Sequence, residues 1–294
     1  MKHINLINNA LDFHKGGHLE EFTLSFPFHK HFKRVIDKYL NFVLSKKKVE
    51  IFELDLSLSK KGHRRYTFPF KLISSFRSNL SPFVSLKVLA FNNVDVDNRV
   101  VNFFIFNCLL LEKLSIHESR LLSRVEIVGP SCFNLKDLEL CHCIGLDFIK
   151  IHNFNIVSFK YIGWKSNLLL ENVTSVLTID FKMSRALICE LVTTFFTVLT
   201  TLSLEFGHTS INHCFLDHNL PKFNNLKVLV LKVVGVTDES LLGITPLIEA
   251  SPYLQKLHIE VIFTTKKTVN TDLQIPTFGG RYSLKYRPKT DIPT

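Results

Sequence analysis

One spacing recurs along the chain: an apolar residue, two others, an apolar residue, one other, and a third apolar residue. It starts at Leu19 (LEEFTL), Ile51 (IFELDL), Leu86 (LKVLAF), Leu111 (LEKLSI), Leu135 (LKDLEL), Ile156 (IVSFKY), Val176 (VLTIDF), Leu199 (LTTLSL), Leu226 (LKVLVL) and Leu254 (LQKLHI). From Leu86 onward the starts lie 25, 24, 21, 20, 23, 27 and 28 residues apart. A single match would mean little, but an ordered series with this period is an internal repeat. The last two apolar positions are two apart, so on an extended strand they share one side and the residue between them faces the other. One such unit cannot bury its apolar side alone; stacked units bury it against each other.

This period is that of leucine-rich repeats. The expected fold is therefore α/β: a leucine-rich-repeat solenoid (horseshoe) with a parallel concave sheet and irregular short helices or extended returns on the convex side. Asn98 to Asn107 and Asp238 to Ala250 read as return helices, the second closed by Ser251-Pro252. Leu122-x-x-Val125-x-Ile127 and Leu146-x-x-Ile149-x-Ile151 read as extended returns. The first two copies are spaced by 32 and 35 residues, which suits an N-terminal cap with a helix at about 31–44. The expected organisation is residues 1–65 as cap and first irregular repeats, 66–263 as the solenoid, and 264–294 as a basic, Pro/Gly-containing tail of poor order. Such repeats usually carry Asn or Cys eight residues after the first Leu. Here Cys143 fits that place, with Ser59, Ser119 and Ser184 as weaker substitutes.

Hydrophobic residues make up 46% of the chain, including 27 Phe, enough for a sizeable core and against overall disorder. Met1 to Gly17 lacks an unbroken apolar core and a small-residue cleavage site, so no secretory leader is expected. The longest apolar stretch, Val100 to Leu111, is interrupted by Asn102 and Asn107 and is too short to span a bilayer. No membrane partner is expected. Six cysteines without a leader point to a reducing compartment, cytoplasmic or nuclear. The formal charge is +10, but residues 66–263 carry 17 basic and 17 acidic side chains. The excess thus belongs to the ends, and nucleic acid is disfavoured as a partner because its binders usually present a basic stripe on one face.

No catalytic signature is present: no Gly-x-Ser-x-Gly, no phosphate-binding Gly-rich loop and no His-Glu-x-x-His. His208, His213, Cys214 and His218 form one dense group of metal-ligand types, read as loop residues for want of a Cys-x-x-Cys partner. Cys141-His142-Cys143 reads as repeat structure. No enzyme activity, cofactor or metal is expected.

Several stretches, in order, resemble the leucine-rich-repeat region of plant F-box proteins of the FBD type. They are Val49 to Leu56 (VEIFELDL), Cys108 to Ile116 (CLLLEKLSI), Phe133 to Leu140 (FNLKDLEL), Val157 to Gly163 (VSFKYIG), Asn225 to Leu231 (NLKVLVL), and Asp238 to Leu242 leading to Ala250 to Leu257 (ASPYLQKL). The resemblance covers about residues 19–262. It implies the substrate-recognition part of a Skp–cullin–F-box ubiquitin ligase, a non-enzymatic module whose partner is a protein substrate. The F-box is not in this sequence, so a Skp-type adaptor is expected as a partner only with an F-box upstream.

The residues between and flanking the inward pairs define the expected protein-binding face: Glu53, Asp55, Lys113, His117, Asp137, Glu139, Lys160, Asp180, Lys182, Glu205, Lys232, Lys256, His258 and Glu260. With Glu21 added, eight acids stand against five lysines, a mixed and mildly acidic surface. The alternative reading is nucleic-acid or anionic-surface binding through the basic segments, residues 29–65 and 264–294.

Overall fold

In the computed structural model, the described residues are 11, 13, 14, 16–26, 32–46, 48–57, 65–74, 82–129, 134–152, 156–163, 167–171, 178–182, 197, 199–206, 220–234, 245–262 and 281–286. Contacts divide the chain into two compact units, Met1–Ile156 with Lys165–Thr174, and Val157–Trp164 with Ser175–Thr294.

The first unit has five parallel strands in register: β1 (Glu21–Ser25), β2 (Ile51–Asp55), β4 (Val88–Asn92), β6 (Lys113–His117) and β8 (Asp137–Cys141). Between β2 and β4 lies β3 (Tyr66–Thr67), which pairs with β5 (Val94–Asp95). Behind the main strands, β7 (Arg124–Val128), β9 (Phe148–His152) and β11 (Asn167–Glu171) form a second parallel sheet. β7 and β9 are the two expected extended returns. β11 was not anticipated.

From β2 to β8 each main strand buries a pair of apolar residues two apart, whereas Phe22 and Leu24 of β1 are half-buried. Phe52 and Leu54, Leu89 and Phe91, Leu114 and Ile116, and Leu138 and Leu140 are all buried, as are Val125, Ile127, Ile149 and Ile151 of the second sheet. Phenylalanines fill the space between: Phe104 meets Phe83 at 5.2 Å and Phe68 at 6.3 Å, and Phe68 meets Phe91 at 5.3 Å between ring centroids. Edge-to-face pairs of this kind add to the burial term.

The register corrects one repeat. Phe52 and Leu54 stand opposite Leu89 and Phe91, so the second copy starts at Val49 (VEIFEL) rather than Ile51. Val49 is fully buried, as a first repeat position should be. A shift of two preserves strand parity, so Glu53 and Asp55 stay on the outward face.

Helix α1 (Lys33–Leu44) buries Ile36, Tyr39, Leu40 and Val43, one stripe at helical spacing. A four-residue turn of helix, α2 (Phe70–Ile73), follows β3. Helix α3 spans the expected Asn98–Asn107 and is capped by Asp97, whose side chain accepts from the Val100 amide at 3.1 Å. The Asn98 carbonyl oxygen Oδ1 also accepts from the amides of Ser123 (3.0 Å) and Arg124 (3.1 Å). It thereby supplies the acceptor that a preceding strand would offer, and the second sheet begins at β7.

The second unit holds β10 (Ser158–Ile162), β12 (Thr178–Lys182), β13 (Thr201–Phe206), β14 (Val228–Val234) and β15 (Lys256–Ile262), parallel in that order. Among the described residues, Phe159, Tyr161, Leu202, Leu204, Leu229, Leu231, Val233 and Val261 are its buried strand residues. Helix α4 (Thr245–Glu249) matches the end of the return helix expected over 238–250; residues 238–244 lie outside the described residues. Ser251 donates to the Leu247 carbonyl at 2.7 Å and closes it. Within the stretch expected to lack order, β16 (Arg281–Tyr286) pairs antiparallel with β15 over six residues. Its alternation of Tyr282, Leu284 and Tyr286 with Arg281, Ser283 and Lys285 supplies the period-two pattern a strand needs. Among the described residues no helix is long and apolar enough to cross a membrane.

Candidate functional site

Parallel pairing without stagger turns single outward residues into rows. In the first unit one row is Glu21, Ile51, Val88, Lys113, Asp137. The next is Thr23, Glu53, Ala90, Ser115, Glu139, and the third is Ser25, Asp55, Asn92, His117, Cys141. Glu53, Asp55, Lys113, His117, Asp137 and Glu139 are therefore brought to one face, all half-buried between neighbouring strands.

Glu139 is the centre of this face. One carboxylate oxygen takes Lys113 Nζ at 2.8 Å; the other meets His117 Nε2 at 3.1 Å and the Ser115 hydroxyl at 3.4 Å. Hydrogen bonding from His117, and then from Lys113, holds the Glu139 carboxyl down at about 2 against the opposition of partial burial. The Lys113 ammonium is raised, chiefly by Glu139, with Asp137 and Glu53 adding to the attraction. Ser115, between Lys113 and His117 on β6, is 7% exposed and its hydroxyl also lies 3.1 Å from His117 Nε2.

Ser115, His117 and Glu139 do not form a nucleophile–base relay. Serine and glutamate share the same ring nitrogen, whereas a triad needs the hydroxyl on one nitrogen and the carboxylate on the other. The arrangement fixes charges instead. It neutralises Glu139 and leaves Glu53 and Asp137 with no hydrogen bond or ion pair to their side chains among the described residues.

The second unit places Lys160 on β10, Asp180 and Lys182 on β12, Glu205 on β13, Lys232 on β14, and Lys256, His258 and Glu260 on β15. Register sets Lys160 beside Asp180, and Lys232 between Glu205 and Glu260, with Lys232 Nζ 3.5 Å from Glu205. Strand β16 adds positions absent from the expected face: Lys285 opposite His258, Ser283 opposite Glu260, and Arg281 opposite Ile262. The charge is thus segregated. Outward positions of the first unit hold five acids (Glu21, Glu53, Asp55, Asp137, Glu139) and one lysine (Lys113). Those of the second hold three acids and four lysines over β10 to β15.

The turns after the strands are also repeated. Asn93, Glu118 and His142, each directly after its strand, adopt φ of 56°, 59° and 54°. The residue that follows turns inward. Ser119 is fully buried and bonds both backbone groups of Val96, and Cys143 directs its thiol at the carbonyls of Ile116 (3.5 Å) and Cys141 (3.6 Å). These are the roles expected from their spacing; Ser59 and Ser184 lie outside the described residues.

Among the described residues, no group of three or more His, Cys, Asp or Glu side chains could hold a metal ion. His208, His213, Cys214 and His218 lie outside them.

Stacked parallel strands with this turn chemistry define a leucine-rich-repeat solenoid. Residues 10–277 match the family described as At1g61320/AtMIF1, LRR domain, and the chain belongs to that plant leucine-rich-repeat family. The match makes the chain a plant leucine-rich-repeat protein; the F-box type is a finer statement than it carries. Comparison with curated proteins and with solved structures gave no match.

Proposed function

We propose that the chain is a non-enzymatic protein-recognition module that binds its partner on the outward strand face. In this reading it resembles the substrate-capturing part of an F-box ubiquitin-ligase receptor. A leucine-rich-repeat domain suits protein interaction. The observation that carries the reading is the first unit's face, where five carboxylates stand against one lysine and Glu53 and Asp137 have no ion pair among the described residues. A partner segment rich in Lys or Arg complements it; rows of like charge reject acidic partners.

The test compares the wild type with the double variant Glu53→Lys/Asp137→Lys. Both are immobilised and used to capture proteins from a plant extract, with quantitative mass spectrometry as the readout. The reversal is expected to leave the unfolding free energy within about 0.5 kcal/mol and to lose a set of basic proteins that the wild type retains. An unchanged captured set would remove the face from the account. For the ligase reading, an F-box fused upstream should confer binding to a Skp-type adaptor and ubiquitylation of the lost set. A folded fusion that binds adaptor but modifies none of them would end that part of the proposal.

A further inference from the structure

Strand β16 stands apart from the repeats. The family match ends at residue 277 and β16 begins at 281. Its pairing with β15 is antiparallel, whereas the other strand pairs of the unit are parallel. Two adjacent antiparallel strands need a connection of about two to five residues, but residues 263–280 supply 18. Fully extended, a segment of that length reaches at most about 60 Å. The connection therefore does not force β16 onto its own chain.

We infer that the outer edge of β15 is a strand-docking site and that Arg281–Tyr286 fills it interchangeably from the same chain or from a second copy. Six residue pairs define the ladder, from Leu257 opposite Tyr286 to Ile262 opposite Arg281. A second copy offers the same strand and the same edge, so every backbone pair made within one chain is remade between two. Of the core-facing residues of β15, Val261 is buried but Leu257 and Ile259 are only half-buried, while Leu229 and Leu231 on β14 are fully buried. β16 thus covers its neighbour less than a repeat would, which lowers what its release forfeits. Exchange is reciprocal: each chain seats its strand on the other's β15, and the pair closes as a two-fold dimer with neither edge left bare. This site is an edge of the sheet, distinct from the outward face, and it operates whether or not that face binds a basic partner.

The test uses the full chain carrying Glu260→Cys, Ser283→Cys, or both. Positions 260 and 283 are directly opposite in the ladder, and antiparallel partners lie about 4.5–5.5 Å apart between Cα atoms, within disulfide reach. Oxidation of the double variant should give a monomer with a 260–283 linkage. The two single variants, one isotopically labelled, are then mixed, held in mild urea, returned to buffer and oxidised. Peptide mapping should find a linkage from position 260 of one chain to position 283 of the other, with a yield that rises with protein concentration. If the double variant closes on itself but the mixture never yields the mixed linkage, β16 is a permanent cap and exchange is overturned. If the double variant does not close either, the docking site itself is refuted.

Discussion

The Ser119 hydroxyl accepts from the Val96 amide at 3.1 Å and donates to the Val96 carbonyl at 3.0 Å, joining one repeat to the one before it. Ser119 and Val96 are both fully buried. Ser119→Ala would leave a buried amide and a buried carbonyl without these partners, at a cost of about 2–3 kcal/mol. A fall of that size is expected in chemical unfolding. Ser119→Cys should recover part of it, because Cys143 already does the same work with a thiol in the following repeat.

Cys143 makes a prediction at the alkaline end. Burial pushes its thiol up to about 11 from an ordinary value near 9. The folded state favours the neutral form, so this contribution is complete below about 9 and is lost as pH rises through 11. The Tyr66 hydroxyl, raised by burial and by its 2.6 Å hydrogen bond to Asp37, acts in the same direction. Unfolding free energy should decline between pH 9 and pH 11. Cys143→Ala should be less stable at pH 8 but show a shallower alkaline decline. Parallel pH profiles for the two proteins would contradict the assignment.

Much of the fold is legible because it is written in spacing. Paired apolar positions two apart locate the parallel strands of both units' main rows, and the run from Asn98 to Asn107 gives α3 with its observed bounds. β11 is hidden because Leu168, Leu169 and Leu170 are consecutive and carry no period. β16 is hidden for another reason: a single alternating hexapeptide beside Gly279 and Gly280 has no neighbouring copy to draw attention to it. Strand parity also keeps Glu53 and Asp55 on the outward side of β2, even with the second repeat displaced by two. Parity does not reveal that Lys113, Ser115 and His117 converge on Glu139. That depends on Ser115 standing opposite Glu139 in the register, a relation between strands 24 residues apart.

The Glu139 cluster governs the acid limb. Its carboxyl is held at about 2, chiefly by His117, against an ordinary 4.5. A lowered folded value contributes stability that is fully present above about 4.5 and is lost as pH falls toward 2. Glu50, with Lys48 and Lys87 as partners, is also held at about 2, so its loss adds to that of Glu139 in the same window. Glu139→Gln should cost about 1 kcal/mol at neutral pH, given partial exposure. It should also remove part, not all, of the destabilisation between pH 4.5 and pH 2. An acid limb identical to that of the wild type would show that the ion pairs at Glu139 contribute nothing.

His142 offers a stabilising change. At φ 54° it occupies the left-handed region, where a side chain with a Cβ is disfavoured by about 1–2 kcal/mol. Its two counterparts have compensations: the Asn93 side chain donates to the Leu56 carbonyl at 2.7 Å, and Glu118 pairs with Arg65 at 3.2 Å. The exposed His142 side chain makes no such contact among the described residues. His142→Gly relieves the Cβ at the expense of added freedom in the unfolded chain, for a net gain of about 0.5–1 kcal/mol. Asn93→Gly loses its hydrogen bond and should not gain. His142→Ala keeps a Cβ at positive φ and should match the wild type. Urea midpoints in the order His142→Gly above wild type, with His142→Ala level, identify backbone strain as the cause. If the alanine variant rises as well, the imidazole itself is the unfavourable group and the strain argument fails.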